Sequence, residues 1–194
     1  MKKVIFLLLT MALIASGCQK EDVIPDPTET PEEQEQNENE DDGKGPKPGM
    51  IWDFASWSVE INVTDLAGND LLGGSLGTKS AVFFKSQSYP ATMPTRYYMP
   101  TWSGLVLYHP QEEMNTLVFG EFPPGGYKKE PMVLTLGDGT TLKLAFDLYI
   151  TWKDYEPTVR KRVYLDGKLM TDWTTVGKYR VWAKMGYGKS LTGY

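Results

Sequence analysis

The stretch from Met132 to Trp152 restricts the possible folds more than any other. Met132-Val133-Leu134-Thr135-Leu136 and Thr140 to Trp152 flank Gly137-Asp138-Gly139. In the second arm Leu142, Leu144, Phe146, Leu148, Ile150 and Trp152 alternate with Lys143, Ala145, Asp147, Tyr149 and Thr151. A period of two places the first set on one face of a strand and the second set on the other. Asp-Gly favours a two-residue type I′ turn, so the pair reads as an antiparallel hairpin with one buried face.

The same period recurs along the chain. Trp57, Val59, Ile61 and Val63 alternate with Ser58, Glu60, Asn62 and Thr64, which predicts a half-buried strand whose polar set faces water. Shorter strands are predicted over Ala81-Val82-Phe83-Phe84, Thr95 to Met99, Trp102 to Tyr108 and Asn115 to Phe122. Pro100 has no N–H for a ladder and marks a strand end or edge. Ser86 to Pro94 and Pro123-Pro124-Gly125-Gly126-Tyr127 read as loops. Val159 to Leu165 and Lys168 to Thr174, around Asp166-Gly167, form a second hairpin, and Lys178 to Lys184 a last strand. No segment past residue 18 shows a helical period. Eight or nine short strands with turns at even spacing predict an all-β fold, an antiparallel β-sandwich of immunoglobulin-like architecture. A closed β-barrel is the alternative. With 41% hydrophobic residues, a domain over residues 50–185 has enough apolar surface for a core, followed by a flexible tail at 186–194.

The first fifty residues are of another kind. Two lysines, the apolar run Val4 to Ile14 and the small residues Ala15-Ser16-Gly17 make a secretory signal over residues 1–17, too short for a membrane span. It ends at Cys18, the only cysteine, so no internal disulfide is possible. Ala15-Ser16-Gly17-Cys18 resembles the lipobox of bacterial lipoproteins. That resemblance implies a lipidated Cys18 carrying palmitate-type acyl chains as the first mature residue. Gln19-Lys20-Glu21-Asp22 is similar to the export signal of Bacteroides-type surface lipoproteins, which implies an outer-membrane anchor and display on the cell surface. Residues 19–49 hold 11 Asp/Glu against three lysines, a net of −8. Like charges, with almost no large apolar side chain after Ile24, predict a disordered acidic linker over 18–49. The domain beyond it holds 14 acids and 15 bases, which excludes the strong basic excess of a nucleic-acid binder.

Val-Thr-Asp-Leu-Ala-Gly-Asn-Asp-Leu-Leu (63–72), Thr-Arg-Tyr-Tyr-Met-Pro (95–100), Leu-Val-Phe-Gly-Glu-Phe (117–122) and Gly-Asp-Gly-Thr (137–140) together resemble a group of uncharacterised Bacteroides-type lipoproteins. The resemblance spans most of residues 51–184 and implies an envelope location without an activity.

Few residues carry chemistry. His109 is the only histidine, precedes Pro110, and has no Gly-x-Ser-x-Gly elbow to serve. One histidine and an acylated cysteine do not make a zinc site. Asp65, Asn69 and Asp70 share a loop with oxygen ligands of the type calcium takes. Their spacing matches no EF-hand, and Asp/Asn in a turn ordinarily serves the backbone. Glu112, Glu113, Glu121, Asp147, Asp154 and Glu156 could supply a glycosidase pair, but nothing in the sequence pairs them. No enzyme activity, metal or cofactor is expected. Tyr97, Tyr98, Trp102, Tyr108 and Tyr127 lie in or beside loops, where flat rings with polar rims suit a sugar face. Arg160-Lys161-Arg162 reads as a charged strand edge that resists pairing. The expectation is a non-catalytic surface module held to the membrane through Cys18, binding a glycan or an envelope protein. An accessory subunit of an envelope complex is the alternative, and a hydrolase the third reading.

Overall fold

The computed structural model describes residues 41–93, 104–109 and 113–187. Cys18, Tyr97, Tyr98, Trp102 and Glu112, the signal, the linker up to residue 40 and the tail from 188 lie outside the described residues. The strands are β1 (Trp57–Asp65), β2 (Ala81–Phe84), β3 (Gln87–Pro90), β4 (Leu105–Tyr108), β5 (Thr116–Phe122), β6 (Tyr127–Thr135), β7 (Thr141–Lys153), β8 (Glu156–Leu165), β9 (Lys168–Leu169), β10 (Thr174–Val176) and β11 (Tyr179–Tyr187), with one helical turn, α1 (Ser75–Thr78). They form a five-stranded sheet, β10-β11-β1-β5-β4, and a six-stranded sheet, β3-β2-β6-β7-β8-β9, both antiparallel. The sheets do not close into a barrel, so the architecture is the sandwich.

The core follows from the alternation. Val59, Ile61 and Val63 of β1 and Phe119 of β5 meet Leu144, Phe146 and Leu148 of β7 and Leu134 of β6, all at most 3% exposed. At the centre, the Phe146 ring lies 4.8 Å from Phe122 and 6.1 Å from Phe84, and Phe84 packs edge-on against Phe119 at 5.4 Å. Ile150 and Trp152, expected to continue the buried face, are only half-buried: they lie past Leu148, the last residue of β7 in the core. Residues 41–54 approach this end of the strand. The Asp42 N–H donates to the Trp152 carbonyl at 2.9 Å, and Trp52 meets Trp152 edge-on at 6.0 Å. Among the described residues, the segment around Asp42 and Trp52 thus contacts the end of β7.

β1 is buried on both faces, not one. Ser58, Glu60 and Thr64 are at most 5% exposed. The reason is position: β1 lies mid-sheet, so its shorter polar side chains sink between those of β11 and β5. Glu60 folds across Gly186, where a Cβ would collide with its carboxylate, and meets Lys184 Nζ at 3.5 Å.

The tight turns only partly follow the glycines. Asp166 and Gly167 both have positive φ, the type I′ turn expected. At Gly137-Asp138-Gly139 only Gly139 does (φ 89°), and its N–H donates to the Leu136 carbonyl. That is a three-residue loop closed by a left-handed glycine, in place of the expected two-residue turn. Tyr179 donates to Asp138 Oδ2 at 2.6 Å and Lys178 approaches at 3.1 Å, holding that carboxyl well below the usual carboxylate range. Two further hairpins turn at Lys85-Ser86 and Asp154-Tyr155, non-glycine pairs with φ from 45° to 67°. With no Asn-Gly or Asp-Gly at the turn, β3 reads as loop and the tip of β7–β8 is hidden. Left-handed φ costs a side chain about 1–2 kcal/mol. Ser86→Gly should therefore raise the unfolding free energy by about 0.5–1 kcal/mol after the added freedom of the unfolded chain is deducted. Chemical denaturation checks this, and an unchanged midpoint would show that the turn is not strained.

Candidate functional site

The outer face of the six-stranded sheet carries the most constructed group of polar side chains. Between Tyr127 and Glu130 the register of β6 on β7 slips: Tyr127 stands opposite Leu148 and Glu130 opposite Phe146. Lys128 and Lys129 therefore oppose the single residue Asp147. Such a bulge re-aims side chains, and here both lysines reach the same face. Lys128 Nζ stands 5.1 Å from the ring centre of Tyr149, and Lys129 Nζ 5.3 Å from that of Tyr164. Lys129 takes a left-handed φ of 45°, a conformation that surrounding structure must enforce.

Asp147 is what enforces it. The side chain is 4% exposed, and its Oδ1 accepts the Lys129 N–H at 2.6 Å. Its Oδ2 accepts the Tyr164 hydroxyl at 2.7 Å. One buried carboxylate thus ties the bulge of β6 to β8 across β7. Arg162 and Arg160 on β8 are the cross-strand neighbours of Asp147 and Tyr149. Alternation puts all of them on the outer face.

Beside this group lies an open groove of about 310 Å³, lined by Pro124, Gly125, Gly126, Lys128, Tyr149 and Thr151, with Asp41 and Ile150 completing it. The Pro-Pro-Gly-Gly loop forms one wall, laid on β7 by the Gly125 N–H donating to the Leu148 carbonyl at 3.3 Å. Asp41 is brought there by its neighbour. Asp42 accepts the Asp154 N–H at 2.8 Å and pairs with Lys44 at 3.0 Å. The first of these bonds, then those to Lys44, push its pKa down to about 2. An aromatic face with cations beside it and a glycine wall opposite can seat a flat polyhydroxylated ring.

No family model, curated protein or solved structure matches the chain.

The residues singled out from sequence are scattered. Tyr127 turns inward, half-buried, with its ring 5.4 Å from those of Phe122 and Phe146 and Lys85 Nζ 5.2 Å from its centre. Tyr108 is half-buried at the end of β4, opposite Thr116. Neither lines the groove; Tyr149 does. Its signal was present in the alternation, as an outward-facing tyrosine beside Asp147, but a mid-strand position looked less like a site than a loop. Lys128 and Lys129 gave no signal, because a bulge is not visible without the partner strand.

The other candidates serve the fold. Asp65 Oδ1 accepts the N–H groups of Ala67 and Asn69, and Oδ2 the Asn69 amide at 2.7 Å. The Asn69 side chain, above all, lowers that carboxyl's pKa. Asp70 accepts from Leu72 N–H and, at 2.7 Å, from both nitrogens of Asn115. These oxygens face N–H donors, as turn carboxylates do. His109 Nδ1 bonds to Asn115 Oδ1. Asp154 is exposed and pairs with Lys44 at 2.9 Å. Among the described residues no group of three His, Cys, Asp or Glu is placed to hold a metal ion, and no helix is long and apolar enough to cross a membrane. Arg160-Lys161-Arg162 does lie along a strand edge, since β9 pairs only with Tyr164 and Leu165. Alternation divides the run. Arg160 and Arg162 join the outer face, while Lys161 falls on the opposite side of the strand, where it stays exposed with Nζ 3.9 Å from the Trp57 ring centre.

Proposed function

We propose that this chain is an envelope lipoprotein, acylated at Cys18 and displayed on the cell surface, whose sandwich is a non-catalytic glycan-binding module. The anchor rests on the Ala15-Ser16-Gly17-Cys18 motif and the acidic segment behind it. The module rests on one observation: the Tyr149 ring borders an open groove walled by Pro124, Gly125 and Gly126, with Lys128 over the ring. Stacking on a tyrosine face contributes about 1 kcal/mol per contact, so Tyr149→Ala should weaken binding roughly fivefold. Affinity electrophoresis of the full-length chain in detergent, through gels carrying different polysaccharides, measures this. Mobility unchanged in every gel would end the glycan reading. Cys18→Ser should in parallel shift the chain from the membrane fraction to the soluble fraction; retention on the membrane would end the anchor.

A further inference from the structure

Resting on the glycan reading, the geometry points to an anionic polysaccharide, one bearing carboxylate or sulfate groups, as the ligand of this face. Lys128 and Lys129 share one face only because of the bulge, and neither forms a salt bridge among the described residues. Arg160 and Arg162 are strand neighbours of the same patch. The chain as a whole carries −5 and the domain after residue 49 is near neutral, so this concentration of cations is local. Ammonium groups are donors with no acceptor capacity. Sugar hydroxyls leave their charge uncompensated, whereas a carboxylate or sulfate both accepts the bond and neutralises it. Asp147, the carboxylate within the patch, is buried and already accepts two bonds. It cannot serve as the hydroxyl acceptor that a neutral sugar site needs.

Two features favour a polysaccharide over an acidic peptide. The groove offers a ring face and glycine backbone, a floor for a pyranose. The nearby β8 edge, where a peptide would add as a strand, carries the charged run Arg160-Lys161-Arg162, and charged side chains along an edge resist strand addition. The one exposed acid in the groove, Asp41, sits at its wall and repels such a ligand. That sets a sign: removing its charge should tighten binding.

The test is affinity electrophoresis of the full-length chain in non-ionic detergent at about 0.15 M salt. The gels contain alginate, dextran sulfate, neutral dextran, neutral xyloglucan or polyglutamate. Retardation by alginate alone assigns a carboxylate ligand, and by dextran sulfate alone a sulfated one; either supports the proposal. Lys128→Gln and Lys129→Gln should each weaken it roughly tenfold, as loss of a charge-assisted bond does. Asp41→Asn, which keeps the acceptor for the Gly43 N–H, should strengthen it a few-fold. Lys79→Gln, an exposed lysine outside the patch, should change nothing. Melting curves of the lysine variants, and loss of retardation of the native chain at high salt, separate binding from folding. Retardation by the neutral polymers alone overturns the anionic ligand and leaves the glycan module standing. Equal losses in Lys79→Gln and Lys128→Gln, or stronger retardation by polyglutamate than by alginate, overturn the proposal too. No retardation in any gel removes both readings.

Discussion

Phe146→Ala lowers the unfolding free energy by about 3–5 kcal/mol, measured by chemical denaturation. Phe146 is fully buried at the middle of β7, the longest strand described. Its ring touches Phe122 at 4.8 Å, Tyr127 at 5.4 Å and Phe84 at 6.1 Å. Those partners come from both sheets, so truncation opens a void where the layers meet, and neither sheet can close it without moving against the other. Transfer of the lost ring atoms and the residual cavity both add to the cost. Phe83→Ala gives the contrast. Phe83 is 53% exposed one position from the buried Phe84, and its loss should cost no more than about 0.5 kcal/mol. A loss below about 1.5 kcal/mol at Phe146 would mean that the sheets are held by something other than this aromatic centre.

The contrast between Phe83 and Phe84 shows what kind of information the sequence carries. Alternation over Leu142 to Leu148 is a local property of one strand, and it specified the core face correctly because burial alone imposes it. The outer face of β1 obeys the same alternation, yet its polar set is buried. Ser58, Glu60 and Thr64 are covered by neighbouring strands, and only the sheet order β11-β1-β5 reveals this. The turns divide the same way. Asp166-Gly167 announces itself, whereas Lys85-Ser86 and Asp154-Tyr155 take left-handed φ because the strands on either side force it. The site was the least legible part. Loop position drew attention to Tyr108 and Tyr127, yet Tyr127 fills the core edge. Tyr149 becomes a platform because a bulge two strand positions away lifts Lys128 over it. A bulge is a mismatch between two strands, so no single segment records it.

Asp147→Ala is expected to cost about 2–4 kcal/mol and to dismantle the cationic face along with it. The carboxylate is buried and satisfies the Lys129 N–H and the Tyr164 hydroxyl. Truncation leaves both donors without that acceptor, at about 1–3 kcal/mol each, offset in part because a buried charge is no longer desolvated. The strained φ of Lys129 then loses the bond that holds it, so the bulge relaxes and the two lysines no longer share a face. Asp147→Asn separates geometry from charge. Its Oδ1 still accepts the Lys129 N–H, and the Tyr164 hydroxyl can rotate to accept from the new amide, so the loss should be near 1 kcal/mol. Amide hydrogen exchange at Lys129 reads the local effect directly. It should accelerate strongly in Asp147→Ala and little in Asp147→Asn, and retardation in polysaccharide gels should be lost in the first and kept in the second. Equal destabilisation by both substitutions would show that the negative charge, beside Arg162, holds this face together, and that the two hydrogen bonds do not.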